Sequence, residues 1–507
     1  MMGERTRNTL RNIFTGLVSK VFVLVLPFAV RTIIIYKLGA EYVGLSSLFT
    51  SILQVLNVTE LGFASAIACT MYDPIAQNDT KRICESITLL KTVYRIVGST
   101  ILVLGLGLTP ALHLLIKDGV PNDVDIYILY YIHLANTVVS YFFYGYKNTV
   151  LSANQRYDVI NKVNAIVSIV RGIIQIAVLL FFSNYYLYII TLPIFSVVTN
   201  ILINRYSNTL YPELNTKTKN SLKGLRKISK QIGGIAIGRI SLMCRNSFDS
   251  IILSTMIGLN AVAIYSNYYL IFSSISSILA VILTSMAASV GNSLALNSIK
   301  KNEQDHIKFD FYYEVIVAFC TICLFLLYQP FMVLWVGEDL TFPFVTMVLF
   351  CIYFYANQLA QVRSVYSEAA GLWWHFRYLT IGEMIANLGL NIGLGYWIGV
   401  DGIIIATIIT AFWGSFVGCS CITYKRLFHE SPHVYFLENF LYIIVAVCGC
   451  ILGYVVLGTG VQTNISMFAI RVILVAFYAG GYLLLVYLLI PRTRRLLSGL
   501  LQKRKGA

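Results

Sequence analysis

Nine basic residues interrupt segments of the chain that are otherwise apolar and long enough to cross a membrane. Each such charge costs at least about 2.5 kcal/mol at the bilayer centre, so it must face protein or water rather than lipid. A guanidinium can bond two phosphate oxygens at once, which makes arginine the natural ligand for a buried phosphate. The nine residues are Lys20, Arg31, Lys91, Arg95, Arg171, Arg239, Arg245, Arg363 and Arg471.

Three of these arginines are the best candidates for binding an anion. Arg31, Arg171 and Arg239 have no obvious acidic partner on the same segment. Arg245 differs, because Asp249 follows it at the spacing of one helical turn, where the two charges either neutralise each other or act in a site. Both readings of that pair stay open.

Polar residues also recur at spacings of three and four within five of the apolar segments, which places them on single helix faces. Five polar faces are more than helix-to-helix hydrogen bonding needs, and they predict a water-filled cavity that is net positive. Lys20 and Arg31 share a face of the first segment. The other candidates for substrate binding are Glu60, Arg171, Arg239, Arg245, Asn357 and Gln361.

The composition of the chain predicts that membrane-spanning helices hold these residues. The 507 residues are 57% hydrophobic and 12% charged, with a mean hydropathy of +0.74. A soluble protein carries about 25% charged residues, so lipid is the solvent here. Helical spans need about 20 apolar residues. Fourteen are predicted, at 10–37, 43–71, 83–112, 124–150, 156–182, 185–206, 229–257, 261–292, 309–334, 341–369, 374–396, 402–424, 436–457 and 465–490.

Basic residues outside the spans predict the orientation of the chain. On alternate joints, beginning with the N-terminus, there are 27 lysines and arginines, against two on the other joints. Since basic loops stay on the cytoplasmic side, both termini are predicted to be cytoplasmic. All joints are short, which leaves no room for a soluble catalytic domain and predicts that the protein is not an enzyme.

An internal repeat predicts two related bundles. A shift of 219–221 residues aligns Gly44 with Ala263, the helix-ending Pro110 with Pro330, and similar pairs elsewhere. The fold is therefore predicted to be an all-α polytopic membrane protein, with two six-helix bundles, a site between them, and a C-terminal helix pair. The predicted parts are an N-terminal lobe at 1–206, a basic cytoplasmic linker at 207–228, a C-terminal lobe at 229–426, a helix pair at 436–490 and a basic tail at 491–507.

The stretch from Arg31 to Ile67, RTIIIYKLGAEYVGLSSLFTSILQVLNVTELGFASAI, resembles the opening of bacterial polysaccharide repeat-unit flippases. These belong to the multidrug/oligosaccharidyl-lipid/polysaccharide exporter (MOP) superfamily. The resemblance covers the basic N-terminal arm, the six-plus-six helices, the middle linker and the last pair. In the related lipid II flippases, essential basic residues lie on the first helices, where this chain has Lys20 and Arg31.

The resemblance also implies where a coupling ion would bind. Some lipid II flippases hold sodium among helices seven, eleven and twelve. The residues of this chain at such places are Asp249, Asn387, Asn391 and Thr407, with Glu383 one turn before Asn387. No other metal site is expected, because the pair Cys320 and Cys323 has no second pair nearby.

The function implied is movement of an undecaprenyl-pyrophosphate-linked oligosaccharide from the cytoplasmic to the outer leaflet, for capsule, exopolysaccharide or O-antigen synthesis. We expect a monomer in the bacterial inner membrane with no cofactor, although coupling to Na⁺ or H⁺ stays open. The expected partners are membrane lipid, a polysaccharide polymerase and a chain-length regulator, and not nucleic acid. The alternatives are a multidrug or lipid II exporter of the same superfamily, or a membrane polysaccharide polymerase.

Overall fold

A computed structural model describes most of the chain and shows an all-helical protein. The described residues contain no strand. They form two compact units, Met1–Ser266 and Asn267–Ala507. The described residues are 25–57, 63–117, 119–215, 241, 243–245, 247–458, 460 and 464–489.

The first unit contains nine helices and the beginning of a tenth. Asp125 caps one of them, because its side chain accepts hydrogen bonds from the backbone N–H groups of Tyr127 and Ile128 at 2.7 and 3.2 Å. The helices are α1 (25–37), α2 (Ala40–Leu56), α3 (Phe63–Ala76), α4 (Thr80–Leu108), α5 (Ile126–Phe142), α6 (Tyr146–Ala153), α7 (Tyr157–Phe182), α8 (Tyr185–Leu210), α9 (241, 243–245 and 247–256) and α10 (Leu259–Leu296).

The second unit contains the rest of α10 and the remaining helices. A π-helical stretch, Ala411–Gly418, continues α14 directly, and a second one, Tyr424–Phe428, follows α15. The helices are α11 (Ile299–Val336), α12 (Phe344–Gln358), α13 (Gln361–Ala369), α14 (Trp373–Thr410), α15 (Cys419–Thr423), α16 (His433–Leu457) and α17 (Ile465–Leu489).

The membrane-spanning character of the chain is confirmed. Within the described residues, nine helices are long and apolar enough to cross a membrane, or ten if α5 and α6, bent by 48°, count as one span. One of the nine, Trp373–Phe428, covers two predicted spans and is broken at Ile398 and Gly399. The first, second, seventh and fourteenth predicted spans run into residues outside the described part. All fourteen predicted spans contain helical residues, and the all-α polytopic prediction is correct. The domain limits stay a prediction.

Two proline positions that the repeat equates behave differently. Pro110 lies where α4 gives way to a 3₁₀ turn, Thr109–Leu115, as predicted. Pro330, in contrast, lies inside α11 and does not end it. A proline removes one backbone hydrogen bond, and burial against neighbouring helices can compensate for that loss.

Within the second unit, two glycines let α16 of the C-terminal pair lie close to its neighbouring helices. A Cβ atom at Gly449 would lie 2.5 Å from Ile322 Cδ1 and 2.7 Å from a ring carbon of Tyr482. One turn later, a Cβ at Gly453 would lie 2.7 Å from a ring carbon of Tyr478. The Tyr478 hydroxyl donates to the carbonyl of Gly449 at 2.8 Å. Small residues thus let α16 lie in close contact with α11 and α17, as is common between membrane helices.

We predict that Gly449→Val destabilises the protein, because the new side chain overlaps two packed neighbours. Overpacking of this kind costs about 1–3 kcal/mol. Thermal unfolding of the purified protein in detergent should show a Tm lower by several degrees. Gly480→Val is the matched control, since a Cβ at Gly480 on α17 meets nothing within 4 Å. Equal melting temperatures for the two variants would contradict the close packing of α16.

Candidate functional site: a basic cavity in the first unit

Helices α1 and α7 bring Arg31 and Arg171 to the same cavity, which has a volume of about 310 Å³. Both arginines are half-buried. The two residues are 140 positions apart in the chain, so only the packing of the two helices makes them neighbours. The remaining lining residues come from the same two helices and from α2 and α8.

A close contact sets the distance between α1 and α7. A Cβ atom at Gly172 would lie 2.9 Å from Leu26 Cδ1, so a larger residue would force the Leu26 side chain or the helix to shift. Gly172 follows Arg171 directly, and Leu26 lies on α1 between one and two turns before Arg31. The glycine therefore lets the two guanidinium groups share one cavity.

The polar groups that line the cavity are hydroxyls, an amide and the two guanidinium groups. Gln175 is held in place, because its Nε2 donates to Thr191 Oγ1 at 2.8 Å. No carboxylate is among the lining residues that the structure describes. The polar lining residues are Arg31, Ser46, Ser168, Arg171, Gln175 and Tyr188.

Tyr188 faces both arginines and is fixed by its neighbours on α8 and α2. It is an electrostatic partner of Arg31 and of Arg171. The ring of Tyr185, one turn earlier, lies 5.6 Å from that of Tyr188 and 4.8 Å from that of Tyr42. The Tyr185 hydroxyl donates to the backbone carbonyl of Tyr42 at 2.8 Å. Three tyrosines thus anchor the wall opposite the arginines.

Arg31 is also tied to the beginning of α10. Its Nη1 donates to Ser266 Oγ at 3.2 Å. This approach requires a small residue on α2, because a Cβ at Gly44 would lie 2.1 Å from the backbone oxygen of Leu259. Gly44 is also close to Ala263, its equivalent in the sequence repeat. The hydroxyl of Ser266 orients the guanidinium without neutralising it.

This arrangement suits a ligand with negative charge and many hydroxyl groups. Two guanidinium groups in one cavity can each bond two oxygens of a phosphate. The serine and tyrosine hydroxyls and the glutamine amide can exchange hydrogen bonds with sugar hydroxyls. A cavity with two cations, and with no carboxylate among its described lining residues, does not suit a cationic ligand.

The other substrate-binding candidates are only partly brought together. Lys20, Glu60 and Arg239 lie outside the described residues. Arg245 is buried on α9, in the first unit, and is not among the residues that line the cavity. Their contribution to binding stays a prediction.

Asn357 and Gln361 lie in the second unit, where α12 meets α13. Gln361 Nε2 donates to the backbone oxygen of Asn357 at 2.8 Å. The two side chains predicted to share a helix face therefore lie on either side of a short break in the helix. Their role in substrate binding also stays a prediction.

Three of the five residues predicted for a cation site are in contact, in the second unit. Asn387 Nδ2 donates to Thr407 Oγ1 at 3.2 Å, and Asn391 Nδ2 donates to Asn387 Oδ1 at 3.3 Å. Glu383, one turn before Asn387, accepts from Ser415 Oγ at 2.9 and 3.0 Å.

The fifth residue, Asp249, belongs to the first unit and accepts a hydrogen bond from the Tyr265 hydroxyl at 2.7 Å. Among the described residues, no group of three or more histidine, cysteine, aspartate or glutamate side chains is arranged to hold a metal ion. The cation site stays a prediction.

Two residues of this region do not follow from the sequence pattern. Tyr188 lies in an apolar helix without a polar stripe, and only its spacing of three from Tyr185 marks a common face. Lys147 is counted among the residues that set orientation, yet it is buried, and its Nζ donates to Asn208 Oδ1 at 2.8 Å. The 48° bend between α5 and α6 turns Lys147 toward α8, and no hydropathy pattern reports such a bend.

Comparison with solved structures shows that the fold is that of MOP transporters. The lipid II flippase MurJ, in an inward closed conformation, aligns with a TM-score of 0.63 at 13% identity, over 94% of this chain and 99% of that one. An inward-facing multidrug resistance MATE family transporter aligns with a TM-score of 0.58 at 14% identity, over 81% and 98%. A mutant of the Vibrio cholerae MATE transporter VcmN aligns with a TM-score of 0.54 at 15% identity, over 84% and 99%.

Sequence comparison gives the family. No curated protein sequence matches the chain. The family model described as polysaccharide biosynthesis protein matches residues 9–288, which is more than half of the 507 residues. The chain therefore belongs to the polysaccharide biosynthesis protein family.

Proposed function

We propose that the protein is a flippase that moves undecaprenyl-pyrophosphate-linked oligosaccharide repeat units from the cytoplasmic to the outer leaflet. The observation that carries this proposal is the pair Arg31 and Arg171 in one cavity, whose described lining residues include no carboxylate. Membership of the polysaccharide biosynthesis family supports it. The product would serve capsule, exopolysaccharide or O-antigen synthesis.

The pyrophosphate group explains the two arginines. It carries about two negative charges, and each guanidinium can bind one phosphate through paired hydrogen bonds. The sugar hydroxyls need substitute partners inside the membrane, because each unpaired polar group costs several kcal/mol in hydrocarbon. Ser46, Ser168 and Tyr188 provide such partners in the cavity.

The membrane potential is sufficient to drive the substrate outward. Moving two negative charges outward across roughly 100 mV, inside negative, is worth about 4–5 kcal/mol at ~2.3 kcal/mol per charge. The substrate moves by alternating access, in which a polar site opens first to one face and then to the other. Coupling to Na⁺ or H⁺ would add to this driving force.

The cellular setting follows from the same proposal. The protein acts as a monomer in the bacterial inner membrane with both termini in the cytoplasm, without a cofactor and without nucleic acid. A polysaccharide polymerase and a chain-length regulator would take up the flipped product. The protein itself performs no bond chemistry.

A multidrug exporter is the second candidate, because MATE transporters share the fold. Such exporters usually take cationic drugs and need acidic residues in the binding site. The two arginines in the cavity argue against a cationic substrate. A lipid II exporter shares the pyrophosphate with our proposal and differs from it only in the sugar.

We predict that Arg31→Ala and Arg171→Ala each abolish surface polysaccharide, while membrane insertion is retained. Each change removes a charge-assisted contact worth about 1.5–3 kcal/mol, which weakens binding at least about tenfold. Surface polysaccharide is measured in cells that depend on the variant, and protein abundance is measured in isolated membranes. Arg82→Ala is the control, because Arg82 is an exposed residue paired with Asp79. Normal polysaccharide in both cavity variants would refute the assignment of the site.

A second prediction separates the flippase from a drug exporter. Deleting the protein should leave susceptibility to cationic drugs unchanged, because the cavity repels cations. Lipid-linked oligosaccharide should instead accumulate, and it should stay inaccessible to enzymes added outside spheroplasts. Increased drug susceptibility without such accumulation would favour the exporter.

A further inference from the structure

The second unit contains a buried pair of carboxyl groups that the proposed function does not use. Asp310 and Glu314 lie one turn apart on α11 and are 2% and 0% exposed. They lie well inside a 38-residue helix that is apolar enough to span the membrane. The pair is on the same helix as the buried His306, one turn before Asp310.

The hydrogen bonds around Asp310 leave two buried acceptors without a donor. Asn439 on α16 donates through Nδ2 to Asp310 Oδ2 at 3.0 Å and to the backbone oxygen of Tyr435 at 3.0 Å. Both hydrogens of this amide are thereby used. Asp310 Oδ1 is buried and accepts no hydrogen bond, and the same holds for Asn439 Oδ1. A buried acceptor without a donor is costly, so this position suits an additional proton.

The charges near the pair do not balance two carboxylates. Arg363 on α13 attracts the charge of Asp310, whereas Glu438 on α16 and Glu314 repel it. The guanidinium of Arg363 is directed elsewhere, because Nη2 donates to the backbone oxygen of Ser415 at 3.0 Å. The described ion pairs include none between Arg363 and either carboxyl group.

The remaining titratable groups that face the pair are hydroxyls and one imidazole. Tyr355 on α12 faces Glu314, whereas Tyr435 on α16 and Tyr313 on α11 itself face both carboxyl groups. The hydroxyl of Tyr424, just after α15, pairs with Nδ1 of His306 at 3.2 Å. His306 is the only imidazole among these groups and is therefore the alternative place for a proton.

We propose that Asp310 and Glu314 form a proton-binding site that holds one proton between the two carboxyl groups. Two buried carboxyl groups one helical turn apart disfavour a second negative charge, whereas a single negative charge is attracted by Arg363. The proton comes from and returns to water. A metal ion fits less well, because the positive charge of Arg363 would repel it and no three-residue metal cluster occurs in the described part of the chain. This proposal goes beyond the flippase proposal and holds for any substrate.

The test measures protonated carboxyl groups in the purified wild-type protein by infrared spectroscopy. We expect a carboxylic acid C=O band at neutral pH that shifts in D₂O. Asp310→Asn and Glu314→Gln should each remove the equivalent of one acid group per molecule, because the remaining carboxyl then ionises beside Arg363. Arg363→Met should add the equivalent of one acid group, because no cation then balances a carboxylate. Glu338→Gln, at an exposed carboxylate, should change nothing.

The outcomes separate the proposal from its alternatives. If neither Asp310→Asn nor Glu314→Gln reduces the acid band, the proposal is overturned. It is also overturned if adding Na⁺ at constant pH removes the band. A wild-type imidazolium signal that disappears in His306→Gln, with the acid band unaffected by the carboxyl variants, would assign the proton to His306 and also overturn it. Selective ¹³C labelling of aspartate and glutamate carboxyls should shift the wild-type band, a measurement that does not depend on the folding of a variant. No polysaccharide readout is used, so failure here is distinct from failure of the flippase proposal.

Discussion

A guanidinium group within the hydrocarbon must be given hydrogen-bond acceptors or water, because no lipid tail can replace its hydration. Three arginines of this chain satisfy that requirement in different ways. Arg31 faces a polar cavity and donates to a serine hydroxyl. Arg363 donates to the backbone oxygen of Ser415 and to the hydroxyl of Ser367. Arg471 donates to backbone carbonyls alone. The helices around these three residues bring polar groups to each guanidinium, and the cavity in the first unit meets the same requirement.

The two units place their buried polar groups in different surroundings. In the first unit, the polar groups line an open volume and can exchange partners with a ligand. In the second unit, Asp310, Arg363 and His306 are surrounded by tightly packed aromatic rings, which leave little space for a ligand of any size. A cavity suits binding of a bulky headgroup, whereas a dense cluster suits a proton. The division of labour between a substrate and a small ion would then follow the division of the chain.

Much of this architecture is predictable from the sequence, since hydropathy alone decides where a helix can cross lipid. Arg31 and Arg171 could be singled out because neither has an acidic neighbour at helical spacing. Their meeting in one cavity involves the tertiary contact between Gly172 of α7 and Leu26 of α1, which no local sequence pattern reports. In the sequence, Arg471 lies near the end of a span, from which its side chain could reach water. The structure shows instead that it binds the backbone carbonyls of Gly458 and Gly460. Tyr188 does not stand out in the sequence, because its spacing of three from Tyr185 is equally compatible with ordinary packing of an apolar helix.

Arg471 has a consequence for how the chain enters the membrane. Two of its acceptors are the carbonyls of Gly458 and Gly460, at 2.5 and 3.0 Å, in the connection between α16 and α17. The third is the carbonyl of Leu326 on α11, at 3.4 Å. The C-terminal hairpin therefore provides two of the three hydrogen-bond acceptors of its own arginine. Because of this, the hairpin can enter the lipid as a unit before it packs against α11. A segment that solvates most of its own charge needs only a small matching surface, here the Leu326 carbonyl and the packed face of α11, on the bundle that it joins.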